Sequence, residues 1–379
     1  MRIALDFTVA AKPGGIAVYA SELLAALGRR AAAHELILWC GTPAAAALAR
    51  AVAPPGTKIV PPGRLGGALD ILGRLAPFGL LSVDGLVGPV DVFHGLNYLL
   101  PAQRGRAARV ITVPDLSALR HPEWHPRHRV LTHRFALPRT ARLATRVVTL
   151  TEAVRREVVE LLGVAPEKVR AIPLAVSDRF RPIEPARLTP VLSAHGLRPR
   201  EYVCFVGTIE PRKNIGRLVQ AMTLVRARHP DVPPLILAGP PGWGEAELRR
   251  RFGDPQTRHL GWVEPAEAVA LIAGAALFVY PSLYEGFGLP VLEALACGTP
   301  VLTSTDPSIQ EVAGDAAAYA EPASVEALAA GIVELLDSGS RRAELSRRGL
   351  ARARQFSWDR TADATLAVYA SCQPDPRVC

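Results

Sequence analysis

The stretch ALFVYPSLYEGFGLPVLEALACGTPVLTS, residues 276–304, decides the fold. ALFVYPS is a short, continuous apolar run ending near Tyr280, as expected of a strand buried on both faces. Gly286 and Gly288 then permit a tight turn and a close backbone approach to a ligand. LPVLEALACG reads as a helix, with Pro290 suited to its first position and Gly298 to its stop. TPVLTS is the next strand. Strand, turn, helix and strand in this order make a βαβ unit, whose two strands run parallel.

Working outward, the same order recurs from end to end. RIALDF is a strand, and GGIAVYASELLAALGRR a helix opened by a glycine turn. ELILWC follows as a strand, and ARVITVPD and TRVVTLTEAVRREVVELLG repeat the pattern. Residues 175–200 are proline-rich and lack a long apolar period, so they read as a linker with one short helix. The pattern then restarts with YVCFVG, with Asn214 as the N-cap of the helix NIGRLVQAMTLVRARHP, and with the strand PLILAG. Two such sets predict an α/β chain of two doubly wound, Rossmann-like domains. Ligands then bind beyond the carboxyl ends of the strands, in a cleft expected between the domains. The expected boundaries are 1–180, 181–355 and a last helix within 356–379 that crosses back to the first domain.

Composition agrees. The chain has 379 residues, which at roughly 150 per domain gives two or three domains. Hydrophobic residues make up 49%, ample for two cores. No apolar run reaches the length of a membrane span of about 18 residues. The N-terminal apolar stretch is short and broken by Asp6, which argues against a signal peptide. Cysteines 40, 204, 297, 372 and 379 are widely spaced, fitting a reducing cytoplasm and no metal site. The net charge is +9, and residues 120–146 hold seven Arg and four His against one acid. That segment suits an anionic lipid surface or an anionic acceptor. No signature of nucleic-acid binding accompanies it.

The chemistry centres on the opening stretch. Free N–H groups near residues 287–292 point out of the helix start and form an anion site that fits a phosphate. Glu285 precedes this site, and Glu293 is expected in the first helical turn. Without a metal a carboxylate repels phosphate, but it accepts hydrogen bonds from sugar hydroxyls. Acids flanking an anion pocket therefore point to a nucleotide-sugar: ribose, diphosphate, hexose. After the strand YVCFVG, Arg212 and Lys213 stand just before a helix, where they offer two cations to the diphosphate. Such cations stabilise a leaving diphosphate as its charge grows.

The segments GTIEPRKN, LGWVEP, VYPSLYEGFGLPVLEALACGTPV and SIQEVAGDAA resemble the retaining glycosyltransferases of family 4, which have the GT-B architecture. The likeness is strongest over residues 200–320, and it is closest to mannosyltransferase-like members. It implies that Glu285 holds donor-sugar hydroxyls near the reacting carbon and that Glu293 binds the ribose. Arg212 and Lys213 would bind the diphosphate, and the amides of Phe287, Gly288 and Leu289 the phosphates or sugar. The segment from Gly261 to Val263 would border the base. KPGGIAVY, with Gly14 and Gly15, resembles the family's first glycine loop near the donor phosphates and the acceptor. In ITVPDLSALRHPEWH, Asp115 is retained, but Pro114 stands where the family often has a histidine. His94, at another strand end, is a candidate to face the cleft instead.

The resemblance implies an enzyme that transfers a hexose from a nucleoside diphosphate sugar, GDP-mannose first, to a glycan or lipid-linked hydroxyl. Neither a catalytic metal nor another cofactor is expected, and the location is cytoplasmic, at the inner face of the membrane. Two other readings share the phosphate contacts: a sugar-nucleotide epimerase of the same fold, and a non-catalytic nucleotide-sugar-binding partner.

Overall fold

The computed structural model describes residues 1–12, 14–30, 33–62, 82–100, 105–242 and 256–372. Pro13 of the first glycine loop and Cys379 lie outside the described residues. The chain forms two compact units, Met1–Leu174 with Ser357–Cys379, and Ala175–Phe356. The proline-rich interval therefore opens the second unit instead of dividing between the two. Its helix, Pro185–Ala194, packs on helix Pro265–Gly274 of that unit, which draws the whole segment there.

In the first unit seven strands form one parallel sheet: β1 (Arg2–Asp6), β2 (Glu35–Trp39), β3 (Lys58–Val60), β4 (Val92–Gly95), β5 (Ala108–Val113), β6 (Arg146–Thr149) and β7 (Val169–Ala171). Their order is β3-β2-β1-β4-β5-β6-β7. Ile37, Phe93, Ile111, Val147 and Val169 join Leu137, Val154 and Val158 of the covering helices in one core. The strands read as unbroken apolar runs because helices cover both faces. Helix Trp358–Ala370 packs along helix Gly15–Arg30, burying Trp358, Ala362, Val368 and Tyr369.

In the second unit six parallel strands follow: β8 (Val203–Val206), β9 (Leu235–Ala238), β10 (Thr257–Gly261), β11 (Leu277–Tyr280), β12 (Val301–Ser304) and β13 (Ala318–Ala320). Their order is β10-β9-β8-β11-β12-β13. The sequence runs outward from β8 to one edge, then jumps back to β11 and runs to the other edge. The loops after β8 and β11 thus part at the switch point, where doubly wound sheets bind ligands. Gly239 shows how tightly these loops pack: it has φ +135°, and a Cβ there would lie 2.1 Å from the Gly207 carbonyl oxygen.

Candidate active site

The loop after β8 turns through a single 3-10 turn, Pro211–Lys213, and meets helix Ile215–Arg228 at Asn214. Asn214 adopts a left-handed backbone, φ 60°, and holds the N-cap position as expected, but its side chain does not cap the helix. Its amide donates to the carbonyls of Pro281 (3.1 Å) and Pro322 (2.6 Å), while its oxygen accepts from Arg217. It therefore pins this loop to the one after β11. Leu283 N donates to the Arg212 carbonyl at 2.8 Å, which closes the seam.

This seam brings Arg212, Lys213 and Glu285 together, as their places after neighbouring strands imply. Arg212 Nη1 lies 2.7 Å from Glu285 Oε2, and Lys213 Nζ 2.5 Å from Oε1. Ser282 Oγ (2.7 Å) and Tyr280 Oη (3.0 Å) donate to the same Oε1. Glu210 accepts from Arg212 Nε and Nη2, at 3.1 and 2.8 Å. Two carboxylates thus balance two cations, which is what lets Lys213 and Glu285 remain buried at 7% exposure each. Burial works to raise the Glu285 pKa, but Arg212 and Lys213 outweigh it and hold the carboxyl at about 2. Burial and then Arg212 push the Lys213 pKa down, against the pull of Glu285.

Asp306 braces the loop from the next strand end. Its Oδ2 accepts from Glu285 N, and its Oδ1 caps helix Pro307–Ala313 through Ser308 N and Ile309 N. Burial raises its pKa to about 6 despite those donors. Asp306, Tyr280 and Glu210 were not among the expected site residues. Asp306 followed by Pro307 is a helix-start signal that would have marked the first of them.

The helix start corrects two expectations. The helix spans Leu289–Ala296 with Gly288 at its N-cap, so Pro290 is its second residue and Glu293 its fifth. Val291 and Leu292 donate to the Gly288 carbonyl, so their N–H groups are taken. Among the described residues, that leaves the N–H groups of Phe287, Gly288 and Leu289 without a backbone partner. Gly288 has φ +84°, and a Cβ there would sit 3.1 Å from Ile309. Glu293, beyond the first turn, gains little from the helix dipole. Its half-buried carboxyl makes no hydrogen bond among the described residues, and burial raises its pKa to about 8 against the weak pull of Arg179.

Gly261 ends β10 at the sheet edge, with φ +73°, and its carbonyl accepts from Gly239 N. Val263 is half-buried beside Trp262, which is 58% exposed. Neither touches the Arg212–Glu285 cluster by a hydrogen bond among the described residues.

In the first unit, Gly14 (φ +141°) and Gly15 open helix Gly15–Arg30, with free space where a Cβ would stand at either. Asp115, after β5, accepts from Tyr98 Oη (2.8 Å), Ser117 N (2.9 Å) and Ser117 Oγ (2.6 Å). Around it stand His133, its ring 4.3 Å from that of Tyr98, and the Arg129 guanidinium, 6.0 Å from the Tyr98 ring. His133 is buried, its Nδ1 has no hydrogen-bond partner among the described residues, and burial, then Arg129, lowers its pKa to about 4. The cleft-facing candidate His94 is corrected outright. It is fully buried, with Nδ1 2.6 Å from Tyr369 Oη and Nε2 2.9 Å from Thr112 Oγ1.

Two family models match the chain: Glycosyltransferase Family 4 over residues 13–180, and Glycosyl transferases group 1 over residues 194–352. The chain is 38% identical over 282 residues to O-antigen chain mannosyltransferase B of Escherichia coli, covering 73% of this chain and 74% of that protein. It is 31% identical over 234 residues to the serotype-specific mannosyltransferase WbdA of Escherichia coli, covering 60% of this chain but only 29% of that longer protein. The solved structure of Anabaena Alr3699/HepE in complex with UDP-glucose superposes with a TM-score of 0.75 at 18% identity, over 98% of this chain and 99% of that one. The two parallel α/β units and both family matches agree: the chain belongs to the family 4, group 1 glycosyltransferases and is an enzyme of the GT-B fold.

Proposed function

We propose that this glycosyltransferase moves mannose from a nucleoside diphosphate sugar, GDP-mannose first, to a hydroxyl of a glycan or lipid-linked acceptor in surface polysaccharide assembly. It does so with retention at the anomeric carbon, without metal, and in peripheral contact with anionic lipid at the cytoplasmic face. The observation that carries the reading is the buried Arg212–Lys213–Glu285 cluster at the switch point, beside the open amides of Phe287, Gly288 and Leu289. Mannose is favoured by the names of the relatives, and a nucleotide-sugar by the UDP-glucose held in the Anabaena structure.

The donor's bond from C1 to the diphosphate oxygen breaks, and its electron pair goes to the diphosphate. Arg212, Lys213 and the three amides stabilise that growing charge. The acceptor oxygen bonds to C1 on the same face, and its proton passes to the departing phosphate oxygen. A carboxyl held at about 2 is ionised at neutral pH, so Glu285 grips sugar hydroxyls and steadies positive charge at C1 instead of donating a proton. Glu293 takes the ribose, the first unit takes the acceptor, and Asp115 orders the loop on that side.

A thermal-shift screen with GDP, UDP, ADP and their sugars identifies the donor. With that donor, Glu293→Ala should weaken nucleotide binding at least tenfold. Glu285→Ala should cut transfer by about 100-fold or more while sparing nucleotide binding. An NMR readout of the product should show the donor's anomeric configuration. Inverted product refutes retention, and two variants with wild-type kinetics refute the site.

A further inference from the structure

Among the described residues three that are not glycine stand on a backbone of positive φ: Tyr98 (45°), Arg200 (66°) and Asn214 (60°). Asn214 pins the donor loops, and asparagine tolerates that conformation. A bulky aromatic residue does not, so Tyr98, only 4% exposed, is the outlier. Such strain persists where neighbours over-determine it, and it gathers at ligand clamps. Here Tyr98 N donates to the Thr112 carbonyl at 2.8 Å, and Tyr98 Oη donates to Asp115. The loop after β4 is thereby tied to β5 and to the loop beyond it.

Two buried polar atoms accompany the strained residue. Asn97 Oδ1, on the residue before it, and His133 Nδ1, on the ring beside its own, have no hydrogen-bond partner among the described residues. His133 is only 5% exposed. An unpaired polar atom in such a place lowers stability, so each needs a reason. Asn97 and Asp115 follow β4 and β5, neighbours in a parallel sheet, at the ends where such sheets take ligands. Asn97, Asp115 and Arg129 are half-buried, so the cluster reaches solvent.

The chemistry of these atoms selects the ligand. Asn97 Oδ1 can only accept a hydrogen bond. Burial, then Arg129, keeps His133 neutral at pH 7, so its Nδ1 accepts in one tautomer and donates in the other. A hydroxyl both donates and accepts, and therefore suits both atoms in either tautomer. An ionised phosphate offers no proton to Asn97 Oδ1 and is repelled by the Asp115 carboxylate.

We infer that Asn97 and His133 are specificity-determining residues of the acceptor site, each taking a hydroxyl of the acceptor sugar, with Tyr98 as the positioning residue that fixes Asp115 beside them. This rests on the acceptor part of the proposed function, a glycan held by the first unit, and not on the identity of the donor.

The test is an NMR titration of the full chain with the methyl glycosides of mannose, glucose, galactose and N-acetylglucosamine, with and without the nucleotide found by the thermal-shift screen. At least one glycoside should bind the wild type. His133→Phe keeps a ring of similar volume and should weaken that glycoside at least tenfold. Its melting temperature should hold or rise, because an apolar ring leaves no buried atom unpaired. His133→Asn, whose amide reaches about as far as Nδ1, should stay within about threefold of the wild type, whereas Asn97→Ala should lose about fivefold. All variants should keep the nucleotide shift. The inference is overturned if no glycoside binds, if His133→Phe binds as the wild type does, or if His133→Phe and His133→Asn lose binding and melting temperature together, as for a purely structural histidine. Glycoside binding that depends on His133, with no nucleotide shift in any form, would sink the donor site and leave this inference standing.

Discussion

Glu285, in the loop, and Glu293, in the helix that follows, lie eight positions apart, yet their surroundings drive them in opposite directions. Two cations and two hydroxyls hold Glu285 ionised at about 2. Glu293 has burial and no hydrogen-bond partner among the described residues, which leaves it protonated at neutral pH, with a value of about 8. A ribose diol is best held by an ionised carboxylate accepting two hydrogen bonds. Nucleotide binding should then expel the Glu293 proton. The sign follows: affinity rises with pH, by up to about tenfold per unit below pH 8, and levels off above it. Titration calorimetry in two buffers of different ionisation enthalpy should show proton release at pH 7, and Glu293→Gln should abolish that release and flatten the slope. The phosphates titrate as well, so the comparison with the variant is decisive. An identical slope in Glu293→Gln would remove Glu293 from the ribose.

At the scale of elements, the first unit is tied by a buried polar chain. Tyr369 Oη meets His94 Nδ1, His94 Nε2 meets Thr112 Oγ1, and Thr112 meets Tyr19 Oη at 2.9 Å. Burial lowers the His94 pKa from 6.5 to about 3. The unfolded chain takes up this proton first, so the contribution is complete above pH 6.5 and is lost as pH falls toward 3, at about 1.4 kcal/mol per unit. Denaturant unfolding at pH 7 and pH 5 should show a smaller acid loss for His94→Gln than for the wild type, by about 1–2 kcal/mol. Equal losses would mean that His94 does not titrate with unfolding. Tyr369 stands 275 residues from His94, so no local pattern could separate this buried histidine from one facing a ligand. Where burial comes from both faces, as in β8, β9 and β11, the elements were legible as apolar runs. The three-residue edge strands β3, β7 and β13 were not, since each is too short and too exposed to leave a pattern. Arg212, Lys213 and Glu285 were legible because each stands in the loop that follows a strand. Asp306 was legible only as a helix start, because its bond to Glu285 N forms once the ends of β11 and β12 lie side by side. With Pro114 at the usual histidine position, nothing local marks His133, which the fold brings beside Tyr98 and Asp115.

At the scale of the whole molecule, the chain crosses from the first unit to the second and returns at Ser357. The returning helix fills a prepared surface. Trp358 and Val368 are 6% exposed and Tyr369 is fully buried, while Thr361 Oγ1 donates to the Pro173 carbonyl at 2.8 Å. Arg29 pairs with Asp359 at 2.8 Å and Arg30 with Asp363, but these pairs are exposed, so they orient the helix more than they stabilise it. Its apolar burial and the His94 hydrogen bond carry the energy. Ending the chain at Phe356 would therefore expose the face of helix Gly15–Arg30 and remove the Tyr369 partner of His94 Nδ1, a hydrogen bond worth about 1 kcal/mol. The second unit keeps its own sheet and all of the donor cluster. The truncated chain should thus show two separate unfolding transitions in calorimetry, the first shifted down by 10 °C or more, on the order expected for several kcal/mol. The transition of the second unit should stay in place and still rise with nucleotide. Arg29→Ala with Arg30→Ala should move either transition by no more than about 2 °C. If the truncated chain melts as the full chain does, the last helix is an ornament to the first unit. If instead both transitions fall together, the two units share their stability, and the terminal helix supports the donor site as well.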